Sequence, residues 1–117
     1  MTVGYERLEV WQRSMDLAVE VYGLIRSLPA DERFSLADQM RRCAVSIPSN
    51  IAEGATRASK KEFAQYLHIA LGSASELDTQ IQIAHRVGYF QDVAAHRQDI
   101  LVVKKMINAL ITSLKRQ

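Results

Sequence analysis

The three histidines and the single cysteine are the residues of this sequence best suited to catalysis or metal binding, and their spacing favours neither. None of His68, His85 and His96 has another histidine four residues away or a glutamate three residues before it. Di-metal sites in helical bundles need the Glu-x-x-His spacing on facing helices. Cys43 has no second cysteine, and the chain has no glycine-rich phosphate loop. We therefore expect no catalytic residues, no metal and no cofactor, and a protein that is not an enzyme.

One enzymatic alternative depends on His68. The segment His-Ile-Ala-Leu-Gly-Ser-Ala, which starts at His68, resembles the phosphoacceptor helix of histidine phosphotransfer domains, which are also small four-helix bundles. His68 falls on the outer side of its helix, and Gly72 beside it leaves room for a phosphoryl group. Those domains carry a lysine three residues after the histidine, where this sequence has Leu71. A surface histidine without phosphotransfer activity is the simpler interpretation.

Basic residues form two groups that could meet a phosphate backbone. The first lies on the second predicted helix and the turn after it. Lys60 and Lys61 at a helix start are unfavourable against the helix dipole, so an anion could be their partner. The second lies on the last predicted helix and its tail, whose charge sums to +3 although the whole chain carries +2. No set of aromatic residues is interleaved with the basic ones to stack on bases. We therefore expect any contacts to be made to the phosphate backbone or to the shape of a nucleic acid. The predicted nucleic-acid-binding residues are Arg41, Arg42, Arg57, Lys60, Lys61, Lys104 and Lys105.

A continuous polar stripe marks one face of the second predicted helix. Its members recur at three- and four-residue steps, and Glu53 with Arg57 forms a stabilising i, i+4 pair. The stripe is either the ordinary solvated face of this helix or part of a binding surface. It consists of Gln39, Arg42, Ser46, Ser49, Asn50, Glu53 and Arg57.

Helical periodicity runs through the whole chain and predicts an all-α fold. Four helices are expected, over residues of about 5–28, 35–56, 59–88 and 92–115. The links between them are short, and short links between long helices favour antiparallel neighbours. Pro48 lies inside the second helix and should kink it. The sequence therefore predicts an antiparallel up-down-up-down four-helix bundle with a Pro-kinked second helix, in a single domain over residues 1–117.

The ends of these helices carry recognisable signals. Ser35 with Asp38 and Ser59 with Glu62 are typical caps at a helix start, and Gly88 is a natural stop at a helix end.

The first helix carries two apolar seams, which is more apolar surface than one small bundle usually buries. The first seam is Leu8, Trp11, Met15, Ala18, Tyr22 and Ile25, and the second is Val10, Leu17, Val21, Leu24 and Leu28. We expect the second seam to be left over when the bundle closes, together with Ile69, Gly72, Glu76 and Ile83 on the outer face of the third helix. Such a surface favours homo-oligomerisation.

Composition and charge exclude several classes of protein. The chain has 117 residues, of which 48% are hydrophobic and 24% charged, which suits one globular domain and not a disordered tail. Its longest run without Asp, Glu, Lys or Arg covers residues 63–75, which is shorter than the roughly 18 residues of a membrane span. Glu6 and Glu9 stand where a signal peptide would be basic and then apolar. A lone cysteine suits a reducing compartment, so we expect a cytoplasmic protein without a membrane partner.

Five segments of the sequence together resemble one bacterial family. They are Leu8–Gln12, Ile25–Pro29, Leu36–Arg42, Ser46–Gly54 and Ala70–Leu77, and the most specific is the block Ser-Ile-Pro-Ser-Asn-Ile-Ala-Glu-Gly over 46–54. The family consists of the four-helix-bundle proteins encoded in intervening sequences of 23S ribosomal RNA genes, also called the S23 ribosomal protein family. The same fold is used by accessory variability proteins of diversity-generating retroelements.

The resemblance implies partners as well as a fold. Family members look like ring-forming homopentamers with basic surfaces, suspected or shown to bind RNA or DNA, or a reverse-transcriptase partner, and the family offers no catalytic residues. A scaffold or accessory module for such a protein partner is therefore the alternative to nucleic-acid binding. At the matching positions, Arg41, Arg42 and Arg57 would supply basic groups. The residues that would form a structural polar network around Pro48 are Ser46, Asn50, Glu53 and Glu76.

Overall fold

The regular structure of the protein is helical throughout residues 4–116, which are the residues that the computed structural model describes. After a short 3-10 turn at Gly4–Arg7 come α1 (Glu9–Ile25), α2 (Leu36–Ala55), α3 (Lys60–Arg86) and α4 (Ala94–Lys115). A second 3-10 turn, Ala30–Glu32, lies between α1 and α2. The four helices and the all-α class are therefore confirmed. None of the helices in this range is long and apolar enough to cross a membrane.

Each helix packs against the next one in the chain, and α4 also packs against α1. The contact between α2 and α3 is the most extensive. It pairs Ser46 with Ser73 and Gly54 with Tyr66, so residue numbers rise along α2 as they fall along α3. The bundle measures 46 × 23 × 20 Å. The helix α2 runs through the buried Pro48 without interruption. A kink at Pro48 stays a prediction, as does the up-down-up-down course of all four helices.

On the last three helices the core is formed by apolar residues that recur at helical spacing. The most deeply buried of these residues are Met40, Ile47 and Ile51 of α2, Leu67, Leu77 and Ile81 of α3, and Ile100, Val103 and Ile107 of α4. Small residues between them, such as Ala70 and Ala74, are also buried and bring α3 close to its neighbours.

On α1 the core uses the second apolar seam, and the prediction that this seam is left over is wrong. Val10, Leu17 and Val21 are buried, whereas Met15 and Tyr22 of the first seam are exposed. Both seams have the same periodicity, so spacing alone does not distinguish them. The buried seam includes the small Ser14, which keeps its hydroxyl satisfied inside the core by donating to the carbonyl of the residue three positions earlier at 2.8 Å.

The two ends of α3 are built as the sequence predicts. At its start, the Ser59 Oγ accepts a hydrogen bond from the backbone N–H of Glu62 at 3.1 Å. At its end, Gly88 adopts a φ of +92°, and the Tyr89 N–H donates to the Ala84 carbonyl at 2.9 Å. This is the Schellman arrangement, which needs a left-handed residue that glycine adopts without strain.

The start of α2 differs from the prediction, because the Ser35 hydroxyl does not cap the helix. It donates instead to Oε1 of Glu32 at 2.6 Å, and the same oxygen lies 3.5 Å from the backbone nitrogen of Leu36. Tyr89 donates to the other oxygen of this carboxylate at 2.7 Å. The 3-10 turn before α2 brings Glu32 into the capping position, and Asp38 is left to pair with arginines of α2.

The contact between α1 and α4 is the least extensive of the four and includes a polar link. Nδ1 of His96 contacts the Glu20 carboxylate, so α4 meets α1 at this point through a half-buried polar pair rather than through apolar side chains. The pKa of Glu20 is raised above its ordinary value, chiefly because the carboxyl group is partly buried. The neighbouring Asp99 carboxylate adds to this rise, and the contact with His96 opposes it.

Candidate nucleic-acid interface

Three lysines from two helices line one shallow surface depression of about 390 Å³. Lys60 and Lys61 begin α3, and Lys115 is the last residue of α4. His68, about two turns further along α3, and Leu114 of α4 line the same depression. We call Lys60, Lys61, Lys115 and His68 the lysine patch. The fold thus brings Lys115, from the end of the last helix, next to Lys60 and Lys61, which the sequence places far from it along the chain.

The lysine patch carries positive charge, and no carboxylate of residues 4–116 forms an ion pair with its lysines. All three lysines are exposed. The nearby Glu62 is engaged with Ser59 at the start of α3. Two of these charges also lie against the positive end of the α3 dipole, which makes an external anion a favourable partner.

The predicted arginines on α2 are in a different situation, because one carboxylate binds two of them. Nη1 of Arg41 lies 3.1 Å from Oδ1 of Asp38, and Nε of Arg42 lies 3.0 Å from Oδ2 of the same residue. A ligand phosphate would have to compete with Asp38 for both guanidinium groups.

Arg57 is similarly occupied. Its guanidinium pairs with the Glu53 carboxylate, as the i, i+4 spacing predicts, and donates to the Tyr66 hydroxyl at 2.9 Å. The same group lies 4.9 Å from the centre of the Tyr66 ring, in cation–π contact. Arg57 therefore joins the end of α2 to α3, next to the lysine patch.

The fold separates the predicted basic residues into distinct locations. Arg42 lies in the second turn of α2 and Arg57 just beyond its last residue, which puts them more than about 20 Å apart. Lys104 lines a separate depression with Asp78 and Arg97, whose side chains are ion-paired at 2.9 Å. Lys105 is exposed. The predicted set does not form one continuous surface.

The Asp78 carboxylate raises the pKa of Arg97. This pair ties α3 to α4 beside Lys104, and it places a carboxylate in the lining of that depression. An incoming phosphate therefore meets a less favourable field there than at the lysine patch.

Two of the four residues predicted to form a structural polar network contact each other. Nδ2 of Asn50 donates to the Oγ of Ser46 at 2.9 Å and to its carbonyl at 2.8 Å. The Ser46 hydroxyl reaches Ser73 of α3 at 2.8 Å. Glu53 is bound to Arg57 instead. The network thus includes Ser73, which the sequence does not single out.

Glu76 lies near a second polar contact between α2 and α3. The buried Gln80 donates from Nε2 to the Sγ of Cys43 at 3.4 Å. Burial raises the pKa of the Cys43 thiol, and the Glu76 carboxylate adds to this shift. A thiol that is buried and held protonated is a poor nucleophile.

A second basic depression was not predicted from the sequence. It has a volume of about 330 Å³, and three arginines line it: Arg26 after α1, Arg33 on the following link, and Arg41 on α2. Arg33 is followed in the chain by Phe34, which is 87% exposed. The adjacent Arg33 and Phe34 in this link are the signal that could have identified the location.

A largely apolar groove of about 640 Å³ runs between α1 and α2. We call it the apolar groove. Its walls come from the first seam of α1 and from the outer side of α2 around Pro48, and Val19 on its edge is 69% exposed. The residues that line it are Tyr5, Trp11, Met15, Ala18, Val19, Tyr22, Val45, Pro48, Ser49 and Ala52.

The titratable residues show no arrangement suited to a metal. Within residues 4–116, no group of three or more His, Cys, Asp or Glu side chains could hold a metal ion. His68 is exposed on the outer side of α3, as predicted. A Cβ atom at Gly72 would meet no other atom within 4 Å, so this glycine lies beside open space.

The fold defines a small helical bundle, and the comparisons with known proteins identify its family. Residues 6–109 match the family described as 23S rRNA-intervening sequence protein, and the chain belongs to this family. It is similar to the crystal structure of a protein with unknown function from the S23 ribosomal protein family of Bacteroides thetaiotaomicron VPI-5482. The TM-score is 0.81, with 25% identity over 88% of this chain and 95% of that one. No curated protein matches the chain. The resemblance predicted from the sequence is confirmed.

Proposed function

We propose that this protein is a non-enzymatic, homo-oligomeric helical bundle that binds structured nucleic acid, such as ribosomal RNA, through the phosphate backbone. The observation that carries the proposal is the lysine patch. Lys60, Lys61 and Lys115 converge from two helices, and no carboxylate in residues 4–116 pairs with them. A phosphate group is an anion that such a patch attracts without regard to base sequence.

The charge of the patch sets the expected salt dependence. Each lysine that contacts a phosphate releases counterions, and the slope of log K against log salt is about −0.9 per contact on duplex DNA. Three lysines per subunit therefore give a slope of about −2.7 for one patch. A steeper slope would indicate that several patches of an assembly bind one nucleic acid.

The apolar groove supports the oligomeric part of the proposal. Its walls are almost entirely apolar, and Met15, Val19 and Tyr22 in them are exposed. Covering such side chains with another chain removes apolar surface from water, which is favourable. We propose that a second copy of the chain covers the groove, in a ring of five copies as the family resemblance implies. A ring repeats the lysine patch once per subunit, which raises avidity for a long nucleic acid without any new contact.

A protein partner is the second candidate occupant of the groove. In that case the chain would act as a scaffold or accessory module for a partner such as a reverse transcriptase. The lone, buried Cys43 needs no oxidising compartment, and we propose a cytoplasmic location for either function.

Fluorescence anisotropy with labelled 23S ribosomal RNA fragments at several salt concentrations tests the proposal. The expected result is binding at low salt that weakens as salt rises, with similar affinity for unrelated duplexes. Absence of binding at low salt, or binding without a salt slope, would overturn it. One stoichiometric protein that co-purifies after nuclease treatment would favour the scaffold instead.

A further inference from the structure

Phe34 is the most exposed large hydrophobic side chain in residues 4–116, with 87% of its surface accessible. It lies on the link between α1 and α2, and the guanidinium carbon of Arg33 is 5.8 Å from the centre of its ring. The residues on both sides, Arg33 and Ser35, are polar and exposed. Its ring is therefore open to a ligand on at least one face.

Two of the three arginines that line the basic depression form no ion pair within residues 4–116. These two are Arg26 and Arg33. The third arginine, Arg41, is held by Asp38 at 3.1 Å. The volume of about 330 Å³ lies at the lower end of the range of small-molecule sites.

The link that carries Phe34 is tied to two other parts of the bundle. Its Glu32 carboxylate accepts hydrogen bonds from Ser35 at 2.6 Å and from Tyr89 at 2.7 Å. Phe34 lies between Glu32 and Ser35 in the chain, so these bonds hold the backbone on both sides of it. Arg33, which lines the depression and lies 5.8 Å from the Phe34 ring, is therefore held in a fixed part of the chain.

We propose that this link is a binding site for an unpaired nucleotide of RNA. The base stacks on Phe34, and Arg26 and Arg33 bind the neighbouring phosphate. The inference rests on the proposed function and adds a second contact of different chemistry. The site lies at the start of α2, whereas the lysine patch lies beyond its end, which is about 30 Å away.

The chemistry of the site favours a nucleotide over a protein side chain. Aromatic faces and guanidinium groups are the groups on which unpaired RNA bases stack, and each stacked base is held without a requirement for its identity. Anchor residues of protein interfaces lie inside a well-packed apolar surround. Phe34 is instead flanked in the chain by the exposed, polar Arg33 and Ser35, and Arg33 both contacts its ring and lines the basic depression.

The test compares two fluorescein-labelled RNA probes: a blunt duplex, and the same duplex with a three-nucleotide bulge. The full-length chain should bind the bulged probe more tightly. Phe34→Ala should lower affinity for the bulged probe about five-fold or more and leave the blunt duplex unchanged. Phe34→Trp should retain the preference for the bulge. Val87→Ala, which trims a 58% exposed residue just after α3, serves as the matched control and should change neither affinity.

The outcomes separate this inference from the proposed function. If Phe34→Ala binds each probe as tightly as the natural chain does, the inference is overturned. The assignment of the lysine patch is not affected by that result. Binding of neither probe at low salt overturns the proposed function. A change in oligomer mass on light scattering of Phe34→Ala would show that Phe34 is an interface residue, and it would also overturn the inference.

Discussion

The phenol of Tyr89 donates a hydrogen bond of 2.7 Å to the carboxylate of Glu32, across 57 positions of sequence. It joins the turn after α3 to the link before α2. Because Glu32 also accepts from Ser35 and approaches the first N–H of α2, one carboxylate holds the link that carries Arg33 and Phe34. This contact therefore connects the end of the bundle to the proposed nucleotide site.

The first prediction concerns the pH dependence of this contact. The hydrogen bonds from Ser35 and Tyr89 hold the pKa of Glu32 below its ordinary value of 4.5. Ionised Glu32 therefore stabilises the fold above about pH 4.5, and this contribution is lost as the pH falls through the lowered folded-state pKa. Glu32→Gln should be less stable than the natural chain at pH 7, and the difference should shrink in acid.

Urea denaturation from pH 7 down to pH 3 measures this effect. Asp31→Asn is the control, because the neighbouring carboxylate forms no hydrogen bond to the rest of residues 4–116. A stability gap for Glu32→Gln that stays constant across the pH range would contradict the assigned role of Glu32.

The second prediction compares two glycines in helices. A Cβ atom at Gly54 would lie 2.7 Å from Cβ of Tyr66 and 3.2 Å from the carbonyl oxygen of Phe63, so α2 and α3 would have to move apart. Gly54→Ala should lower the free energy of unfolding by about 1–3 kcal/mol. Gly72→Ala points into open space and should raise it by about 0.5–1 kcal/mol, since alanine favours a helix.

Thermal and urea denaturation of both glycine variants provide the measurement. Gly72→Ala is the matched control, because it makes the same chemical change inside a helix. Equal effects at the two positions would show that the approach of α2 to α3 at Gly54 is not tight.

The third prediction places the subunit interface on the apolar groove. Val19 is 69% exposed on its edge, so Val19→Asp should leave the fold of one chain intact while putting a charge into the interface. The expected result on a sizing column with light scattering is a 13.2 kDa monomer. Val87→Asp, at a 58% exposed position outside the groove, should remain assembled. A natural chain that is itself monomeric would contradict the proposed assembly.

Periodicity predicted the helices and most of the core because three of the four helices carry one dominant apolar seam. It failed on α1, where two seams have equal spacing and only the packing of Val10, Leu17 and Val21 against the other helices selects one. Burial of one seam leaves Met15 and Tyr22 to line the apolar groove.

The candidate site was predicted in part. Lys60 and Lys61 are where the sequence indicates, but their neighbour Lys115 comes from a helix end that only the fold brings close. The spacing of Asp38 with Arg41 and Arg42 is one that favours ion pairs on a helix. Asp38 is also a candidate for the cap of α2, however, and only the structure shows that Glu32 takes that position.

The most direct test of the central proposal compares two double variants in RNA binding by anisotropy. Lys60→Gln/Lys61→Gln removes two charges from the lysine patch, and Arg13→Gln/Arg86→Gln removes two exposed charges elsewhere. We predict that the lysine variant alone binds blunt duplex RNA more weakly, with a salt slope shallower by about two units. Equal losses in both variants, or full affinity in the lysine variant, would contradict the assignment of the lysine patch as the nucleic-acid interface.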